Sequence, residues 1–294
     1  MYSSAIGMAG AVMKAAAKHV RMDPERRSPA VASFEKILSS RIIGQPEAVQ
    51  ALVRAYQMHD AGLILPGKPI SVLLFAGKTG TGKTHTVEAA AEILLGSSRA
   101  VTRIDCAEYQ QPHETAKLIG SPPGYLGFNE TQGLLAQSNI NKYQQEHMKL
   151  NFVLFDEIEK ANDSFKQLML GIFDSGRVTL GNTHVTDFSE CIIVMTTNLG
   201  AQEMDKMISG GDIGFVHTES DDAAISGAAK TAISKNFSPE FLNRLDSVVI
   251  FNQLTREQFA QILDLELDSV RARIANAPNA PLFQIVFTAA ARNH

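Results

Sequence analysis

Short apolar runs alternate with longer amphipathic segments from Phe34 onward. The runs are almost continuously apolar and predict buried strands: SVLLFAG (71–77), AVTRID (100–105), NFVLFDE (151–157) and CIIVMTTN (191–198). The segments between them show helical periodicity, for example EAVQALVRAYQMHDAGL (47–63) and KTHTVEAAAEILL (83–95). Buried strands separated by helices are typical of a parallel sheet covered by helices on both faces. We therefore predict an α/β fold that binds its ligand at the carboxyl ends of the strands.

Changes in composition predict the domain organisation. An apolar, helix-forming leader, AIGMAGAVMKAAAKHV, is followed by a polar break in which Pro24 and Pro29 are expected to end any helix. A segment rich in Gly, Ser and Asp (200–227) predicts a long excursion with an exposed loop. A long amphipathic helix is predicted from Leu254, and a short strand over 283–288. The predicted units are a leader over residues 1–32, a large domain over 33–252 and a small C-terminal domain over 253–294.

Composition excludes several classes of protein. The 294 residues are 45% apolar and 20% charged, which is typical of a globular protein and not of a disordered one. A net charge of -4 supplies no general basic field for nucleic acid, which is therefore not an expected partner. Cys106 and Cys191 form neither a disulfide framework nor a zinc-binding spacing. Because no run has the length of a membrane span and the leader lacks the features of a secretory signal, we expect a cytoplasmic protein without a membrane partner.

The strongest motif is GKTGTGKT (77–84), which matches the pattern G-x-x-x-x-G-K-[ST]. It follows an apolar run and opens a helical pattern, which favours a phosphate-binding loop over a glycine-rich turn before a helix. Lys83 is expected to reach the β- and γ-phosphates of ATP, and the Thr84 hydroxyl to ligate Mg²⁺. The residues predicted to bind the nucleotide here are Gly77, Lys78, Thr79, Gly80, Thr81, Gly82, Lys83 and Thr84.

Polar residues at the ends of two later strands complete a candidate hydrolytic site. Asp156 is predicted to hold Mg²⁺, directly or through water, and Glu157 to act as general base, although an acidic pair after a strand is also common in helix caps. Asn198 would orient the attacking water through its donor and acceptor, or else serve as a turn residue before Gly200. Arg244 has Asp246 as its only obvious local partner, and on the residues alone it is a surface arginine.

Several separate motifs together resemble the AAA+ ATPases, and more narrowly the Clp family of ring-forming protein unfoldases. They are RIIGQPEAV, GKTGTGKT, IGSPPGYLGF, VLFDEIEKA, FDSGRVT, VMTTNLG and SPEFLNRLD, and the resemblance runs from about Phe34 to Asn293. The chain is similar to the module that forms the second ring of two-ring Clp proteins, here as a single module. The resemblance implies an AAA+ P-loop NTPase fold and ATP hydrolysis with Mg²⁺. It also implies a homo-oligomeric ring, expected to be a hexamer, that unfolds, threads or remodels polypeptides.

The resemblance assigns roles to further residues. It implies that Ile42 and Ile43 line the adenine pocket. It makes Asn198 the sensor-1 residue, and Arg244 an arginine finger that reaches the neighbouring subunit's site. Substrate polypeptide would be gripped by Tyr125 and Leu126 in the pore loop GSPPGYLG (120–127), with a second pore-facing loop in FDSGRVTLGNTHVTD (173–187). On the residues alone, a tyrosine buried in a Pro/Gly turn is the alternative for Tyr125.

Two features leave the function open at this stage. The tripeptide Ile213-Gly214-Phe215 resembles the motif by which some Clp unfoldases dock on a barrel-shaped peptidase, but remodelling without a protease is the alternative. The sequence ends at Ala-Arg-Asn-His, before the family's Gly-Ala-Arg motif, so we expect the small α-helical C-terminal domain to be incomplete. The competing functions are an AAA+ regulatory or DNA-associated switch, and a nucleotide-binding assembly module that is inactive without the missing C-terminal part.

Overall fold

A five-stranded parallel sheet forms the centre of the part of the chain that the computed structural model describes, which comprises residues 27–120, 133–201 and 219–275. The strands within these ranges are Ser71–Ala76 (β1), Val101–Asp105 (β2), Asn151–Asp156 (β3), Arg177–Thr179 (β4), Val185–Asp187 (β5), Cys191–Thr197 (β6) and Ser247–Ile250 (β7). The sheet order is β2–β3–β6–β1–β7, and β4 and β5 pair as a separate antiparallel hairpin. All neighbours in the sheet are parallel, so the carboxyl ends of its strands meet at one edge.

Helices connect the strands. The helices of the described ranges are Pro29–Arg41 (α1), Pro46–Asp60 (α2), Lys83–Leu95 (α3), Ala116–Ile119 (α4), Gln137–Ile140 (α5), Asp163–Ser175 (α6), Glu219–Asn236 (α7), Pro239–Leu242 (α8) and Arg256–Ala275 (α9). Short 3-10 turns lie at Cys106–Glu108, Pro112–Thr115, Asn141–Tyr143 and Ile158–Lys160. No described helix has both the length and the apolar character needed to cross a membrane.

Both faces of the sheet are buried. In β1, Val72, Leu74 and Ala76 belong to one hydrophobic cluster, while Leu73 and Phe75 belong to another. This alternation follows from the two-residue period of a strand. Helices α6, α7 and α8 contribute to the first cluster, and α1, α2 and α3 to the second. The predicted α/β fold with helices on both faces is confirmed.

The structure contains each of the four predicted strands, with bounds within one residue of those expected. It adds β7, whose run Ser-Val-Val-Ile is only four residues long, and the three-residue strands β4 and β5. The short run of β7 becomes a strand because it pairs along β1, from Leu73 opposite Ser247 to Ala76 opposite Ile250. That pairing joins segments far apart in the sequence, so no local sequence pattern indicates it.

Pro29 begins a helix. It occupies the first turn of α1, where the side chain of Ser28 caps the helix by accepting a hydrogen bond from the backbone nitrogen of Val31 at 3.2 Å. Proline is tolerated at the first helical position because the amide it lacks has no helical partner there. The prediction that Pro29 ends any helix of the leader stays a prediction, because residues 1–26 lie outside the described part of the chain. The predicted leader boundary at residue 32 lies inside α1.

The segment predicted as an excursion is partly helical, because residues 219–227 belong to α7. Residues 202–218 lie outside the described part of the chain, as do most of the leader and the predicted strand over 283–288. The predicted boundary near residue 252 falls between the end of β7 and the start of α9.

Candidate active site

The loop Gly77–Thr84 joins β1 to α3. Glycine is favoured in it for two reasons, backbone conformation and lack of space for a side chain. Gly80 and Gly82 adopt φ angles of +84° and +96°, in the left-handed region that favours glycine, although a Cβ at either position would meet no atom within 4 Å. At Gly77 the requirement is space as well, because a Cβ there would lie 2.8 Å from the carbonyl oxygen of Phe251. The loop is therefore shaped both by its own turns and by the chain that follows β7.

Lys83 is buried at the start of α3, with 8% of its surface exposed. Its Nζ donates to the carbonyl oxygens of Gly77 and Lys78, at 2.5 and 2.9 Å, and to Oδ1 of Asn198 at 2.9 Å. Burial lowers the pKa of Lys83, while three carboxylates, Glu159, Asp156 and Glu157, act in the opposite direction. The ammonium group of Lys83 is thus held against the phosphate-binding loop and near three carboxylates.

Asp156 lies at the end of β3 with both carboxylate oxygens engaged. Its Oδ1 accepts a short hydrogen bond from the hydroxyl of Thr196 on β6. Its Oδ2 lies 2.5 Å from Nη2 of Arg103 on β2. Asp156 is therefore held from both neighbouring strands.

Glu157 adopts a left-handed backbone conformation, with φ 56° and ψ 51°. This conformation is uncommon for a residue other than glycine. The backbone nitrogen of Glu157 donates to Thr196 Oγ1 at 3.0 Å, which helps to hold this turn. The carboxylate accepts from Nδ2 of Asn198 at 3.0 Å and forms an ion pair with Lys160. The turn directs the carboxylate of Glu157 to the same edge of the sheet as Asn198.

Asn198 connects the two halves of the site. Its Oδ1 accepts from Lys83 Nζ, and from the hydroxyl of Thr79 at 3.3 Å, while its Nδ2 donates to Glu157. Its backbone nitrogen donates to Oε1 of Glu159 at 3.0 Å, which fixes the backbone of the residue as well. A single amide side chain thus bridges the cation of the loop and the carboxylate after β3.

These groups surround a cavity of about 560 Å³ at the carboxyl ends of the strands. Its lining comprises Thr79, Gly80, Gly82, Lys83, Thr84, His85, Arg103, Asp105, Asp156, Glu157, Thr196 and Asn198. The hydroxyl of Thr84 and the carboxylate of Asp156 are hard oxygen donors, which suit Mg²⁺ when phosphate supplies further oxygens. No group of three or more His, Cys, Asp or Glu able to hold a metal occurs among the described residues, so a metal cage built from protein alone is not found there.

A second cavity, of about 660 Å³, adjoins the first through His85. Ile42 and Ile43 line it on one side, and Phe259 and Ile262 of α9 line it on another. Its size and partly apolar lining suit a nucleoside, with the phosphates in the adjoining cavity.

Arg244 does not line either cavity. Its Nε donates to Oδ1 of Asp174 at 2.6 Å, and its Nη1 donates to the carbonyl oxygen of Glu240 at 3.0 Å. Asp246, the only obvious local partner in the sequence, is not among these contacts. Its Oδ2 accepts a hydrogen bond from the backbone nitrogen of Val72 at 2.7 Å. The guanidinium beside Asp174 holds the pKa of that carboxyl below its usual range.

The sequence did not single out four residues that organise the site: Arg103, Thr196, Glu159 and Gln45. Gln45 is buried, and its Nε2 donates to the carbonyl oxygens of Thr81 and Asn252 at 3.3 and 2.9 Å, which ties the phosphate loop to the chain after β7. A signal existed for Thr196, which lies two positions before the candidate Asn198 and is therefore expected on the same side of the extended chain.

Some predicted site residues lie outside the described residues, namely Tyr125, Leu126, Ile213, Gly214 and Phe215. The predicted second pore-facing loop is described, and it contains the β4–β5 hairpin.

Comparison with known proteins identifies the family. The AAA domain family (Cdc48 subfamily) matches residues 68–248, which is more than half of the chain. The chain belongs to this family. It carries the parallel sheet and phosphate loop described above.

Clp and Hsp104 proteins are among the similar proteins. The ATP-dependent Clp protease ATP-binding subunit ClpA homolog of Pyropia yezoensis is 39% identical over 245 residues, covering 82% of this chain and 29% of that protein. The chaperone protein ClpB of Pseudomonas putida is 38% identical over 241 residues, covering 82% of this chain and 26% of that protein. The chain thus spans less than a third of the length of either relative.

A solved structure with the same fold is the S. cerevisiae Hsp104:casein complex in its extended conformation. It superposes with a TM-score of 0.74 at 33% identity, over 92% of this chain and 43% of the Hsp104 chain. Both the sequence and the fold of this AAA+ module are therefore similar to those of Clp-type proteins.

Proposed function

We propose that this AAA+ module binds and hydrolyses ATP at the carboxyl ends of β1, β3 and β6. The observation that carries the proposal is the side chain of Asn198, whose two polar atoms contact Lys83 Nζ and Glu157 Oε1. Hydrolysis of ATP needs a cation at the phosphates and a base at the water, and Lys83 and Glu157 are suited to these tasks. One rigid amide fixes the two groups relative to each other.

Nucleotide binding follows from the two adjoining cavities. The triphosphate lies along Gly77–Thr84, and Lys83 exchanges the carbonyl oxygens of Gly77 and Lys78 for phosphate oxygens. The base occupies the cleft lined by Ile42 and Ile43. A Mg²⁺ ion held by Thr84 and Asp156 would neutralise charge on the β- and γ-phosphates.

Glu157 accepts a proton from the attacking water in this mechanism. Its carboxylate is fixed by the hydrogen bond from Asn198, and its backbone by the hydroxyl of Thr196. Because Thr196 also donates to Asp156, one hydroxyl sets the positions of both carboxylates. The geometry favours hydrolysis, since the base lies beside the phosphate loop in the same chain.

The site is completed by a second copy of the chain. Arg244 does not line the cavities of its own subunit, and in the proposed ring its guanidinium acts on the γ-phosphate in a neighbour's cavity. Such a finger is worth roughly 10³ to 10⁵ in rate. We propose a homo-oligomeric ring, and a hexamer as its size.

The proposed substrates are polypeptides, gripped by Tyr125 and Leu126 in the ring's pore. Support comes from the similar proteins, since one similar structure is an Hsp104:casein complex and one similar protein is named a subunit of the Clp protease. Docking on a peptidase through Ile213–Phe215 is one form of the proposal. Remodelling without a peptidase is the other, supported by the similar ClpB, which is named a chaperone. A cytoplasmic location stays a prediction.

The rate of ATP hydrolysis per protomer, measured against protein concentration, tests the proposal. We expect the rate to rise and then saturate, because each site needs an arginine from a neighbour. A rate that is constant over a hundredfold range of concentration would contradict completion by a second chain. Bound ATP with no turnover at any concentration would identify an assembly module instead of a motor.

A further inference from the structure

Arg103 contacts the carboxylate of Asp156, which is predicted to hold Mg²⁺. It lies on β2, the edge strand of the sheet, and its Nη2 is 2.5 Å from Oδ2 of Asp156. Half of the arginine side chain is exposed (53%), whereas the carboxylate is largely covered (13%). The pair therefore joins a fixed acceptor to a donor whose head can move into solvent.

Two other charged groups of the cavity, Lys83 and Asp105, form hydrogen bonds with partners other than Asp156. Lys83 donates to two backbone carbonyls and to Asn198, and not to Asp156. Asp105 accepts a hydrogen bond from the backbone nitrogen of Ala107 at 2.9 Å. Oδ1 of Asp156 is engaged by Thr196, which leaves Oδ2 as the oxygen that Arg103 neutralises.

We propose that Arg103 is a positioning residue that competes with Mg²⁺ for Asp156 and so sets how strongly nucleotide binding depends on Mg²⁺. The inference rests on the proposed function and deepens it, since it concerns the same site. In the absence of nucleotide, Arg103 balances the charge of Asp156 and holds its carboxylate in place.

Arg103 and Mg²⁺ compete for Asp156 for an electrostatic and a steric reason. A guanidinium and a divalent cation repel each other, and a donor 2.5 Å from Oδ2 occupies the approach to that oxygen. Arg103 must therefore leave Asp156 when the metal arrives, and the free energy of the ion pair is subtracted from metal binding. Release is easy because the arginine head is half exposed at the sheet edge. Half-exposed ion pairs are weak, so the expected effect is a fewfold change in affinity.

The affinity of the full chain for a fluorescent, non-hydrolysable ATP analogue, measured in saturating Mg²⁺ and again in EDTA, tests the proposal. The ratio of the two affinities reports how much the metal strengthens binding. We expect Arg103→Met to raise this ratio about threefold, because the competing ion pair is gone. Arg271→Met removes another exposed ion pair, with Asp268, that lies outside the lining of both cavities, and it should leave the ratio unchanged.

The same substitution in an Asp156→Asn background separates competition from a general effect of charge. If Arg103 acts through Asp156, Arg103→Met changes the ratio little in that background, because its partner is already neutral. An equal effect in both backgrounds, or no effect in the native background, would overturn the proposal. Failure of the unaltered chain to bind the analogue would overturn the proposed function together with this inference, whereas normal binding with an unchanged ratio would overturn the inference alone.

Discussion

The guanidinium of Arg244 is anchored to Asp174 at the end of α6, with Nε 2.6 Å from Oδ1. The two residues are 70 positions apart, and Glu240 adds a second contact from within the arginine's own segment. Because α6 follows β3 and the 3-10 turn Ile158–Lys160 in the chain, the anchor of Arg244 belongs to the segment that comes after Asp156 and Glu157. The arginine is thus held in a defined orientation on its own subunit.

Mixing two inactive variants tests whether Arg244 acts between subunits. We expect Arg244→Ala to lower the rate of ATP hydrolysis by about 10³-fold or more while nucleotide binding persists. Lys83→Ala should abolish tight nucleotide binding because it removes the buried cation of the loop. An equimolar mixture should recover part of the activity, since an intact cavity can then face an intact Arg244. Absence of recovery in a mixture shown to co-assemble would contradict the assignment.

Asn198→Ala should impair catalysis more than binding. The substitution removes the bridge between Lys83 and Glu157, and loss of one oriented polar group of this kind lowers kcat by roughly 10²-fold. Nucleotide affinity should change little because the phosphate loop is intact. Steady-state kinetics and equilibrium binding of a fluorescent nucleotide measure the two effects. Asn236→Ala, at the exposed end of α7, serves as a matched control with no expected effect on either.

Glu157→Gln should preserve nucleotide binding and stop turnover. Glutamine can still accept the hydrogen bond from Asn198, but it cannot take a proton from water, so a fall in kcat of about 10²- to 10⁴-fold is expected. Single-turnover experiments with labelled ATP should show ATP that stays bound and unhydrolysed. Glu108→Gln, an exposed carboxylate on the 3-10 turn after β2, is the control. Normal turnover by Glu157→Gln would assign the base to another residue.

Tyr125→Ala should uncouple ATP hydrolysis from work on polypeptides. This residue lies outside the described part of the chain, so the prediction rests on its motif. We expect the ATPase rate to remain within about twofold of the unaltered chain, while unfolding of a tagged fluorescent protein is lost, because aromatic contact area grips the substrate. Tyr125→Phe retains the ring and should retain unfolding. Equal unfolding by all three proteins would remove the pore-loop assignment.

Gly77→Ala and Gly171→Ala should change stability in opposite directions. A Cβ at Gly77 would lie 2.8 Å from the carbonyl oxygen of Phe251, so a loss of about 1 to 3 kcal/mol in the free energy of unfolding is expected. Gly171 lies inside α6 with no atom within 4 Å of an added Cβ, so alanine should stabilise by about 0.5 to 1 kcal/mol. Equilibrium unfolding in urea measures both, and equal effects would contradict the packing argument.

The longer apolar runs were sufficient to predict most of the sheet. The run 191–198 became β6 because a strand buried on both faces needs apolar residues at nearly every position. The same rule does not detect β7, since four residues are too few to distinguish a strand from a loop, and their partner β1 lies far away in the sequence. Pro29 illustrates a different limit, because a proline that ends one helix also begins another well.

The fold class, the phosphate loop and the identity of the groups placed at the strand ends could be inferred from the amino-acid sequence, because these depend on local periodicity and on short motifs. Which of these groups contact one another depends on the folded arrangement of the strands. Asn198 joins Lys83 to Glu157 across distances of 115 and 41 residues in sequence, and Arg103 reaches Asp156 from a neighbouring strand. Such contacts depend on strand order and register, which long-range packing fixes and no local pattern encodes.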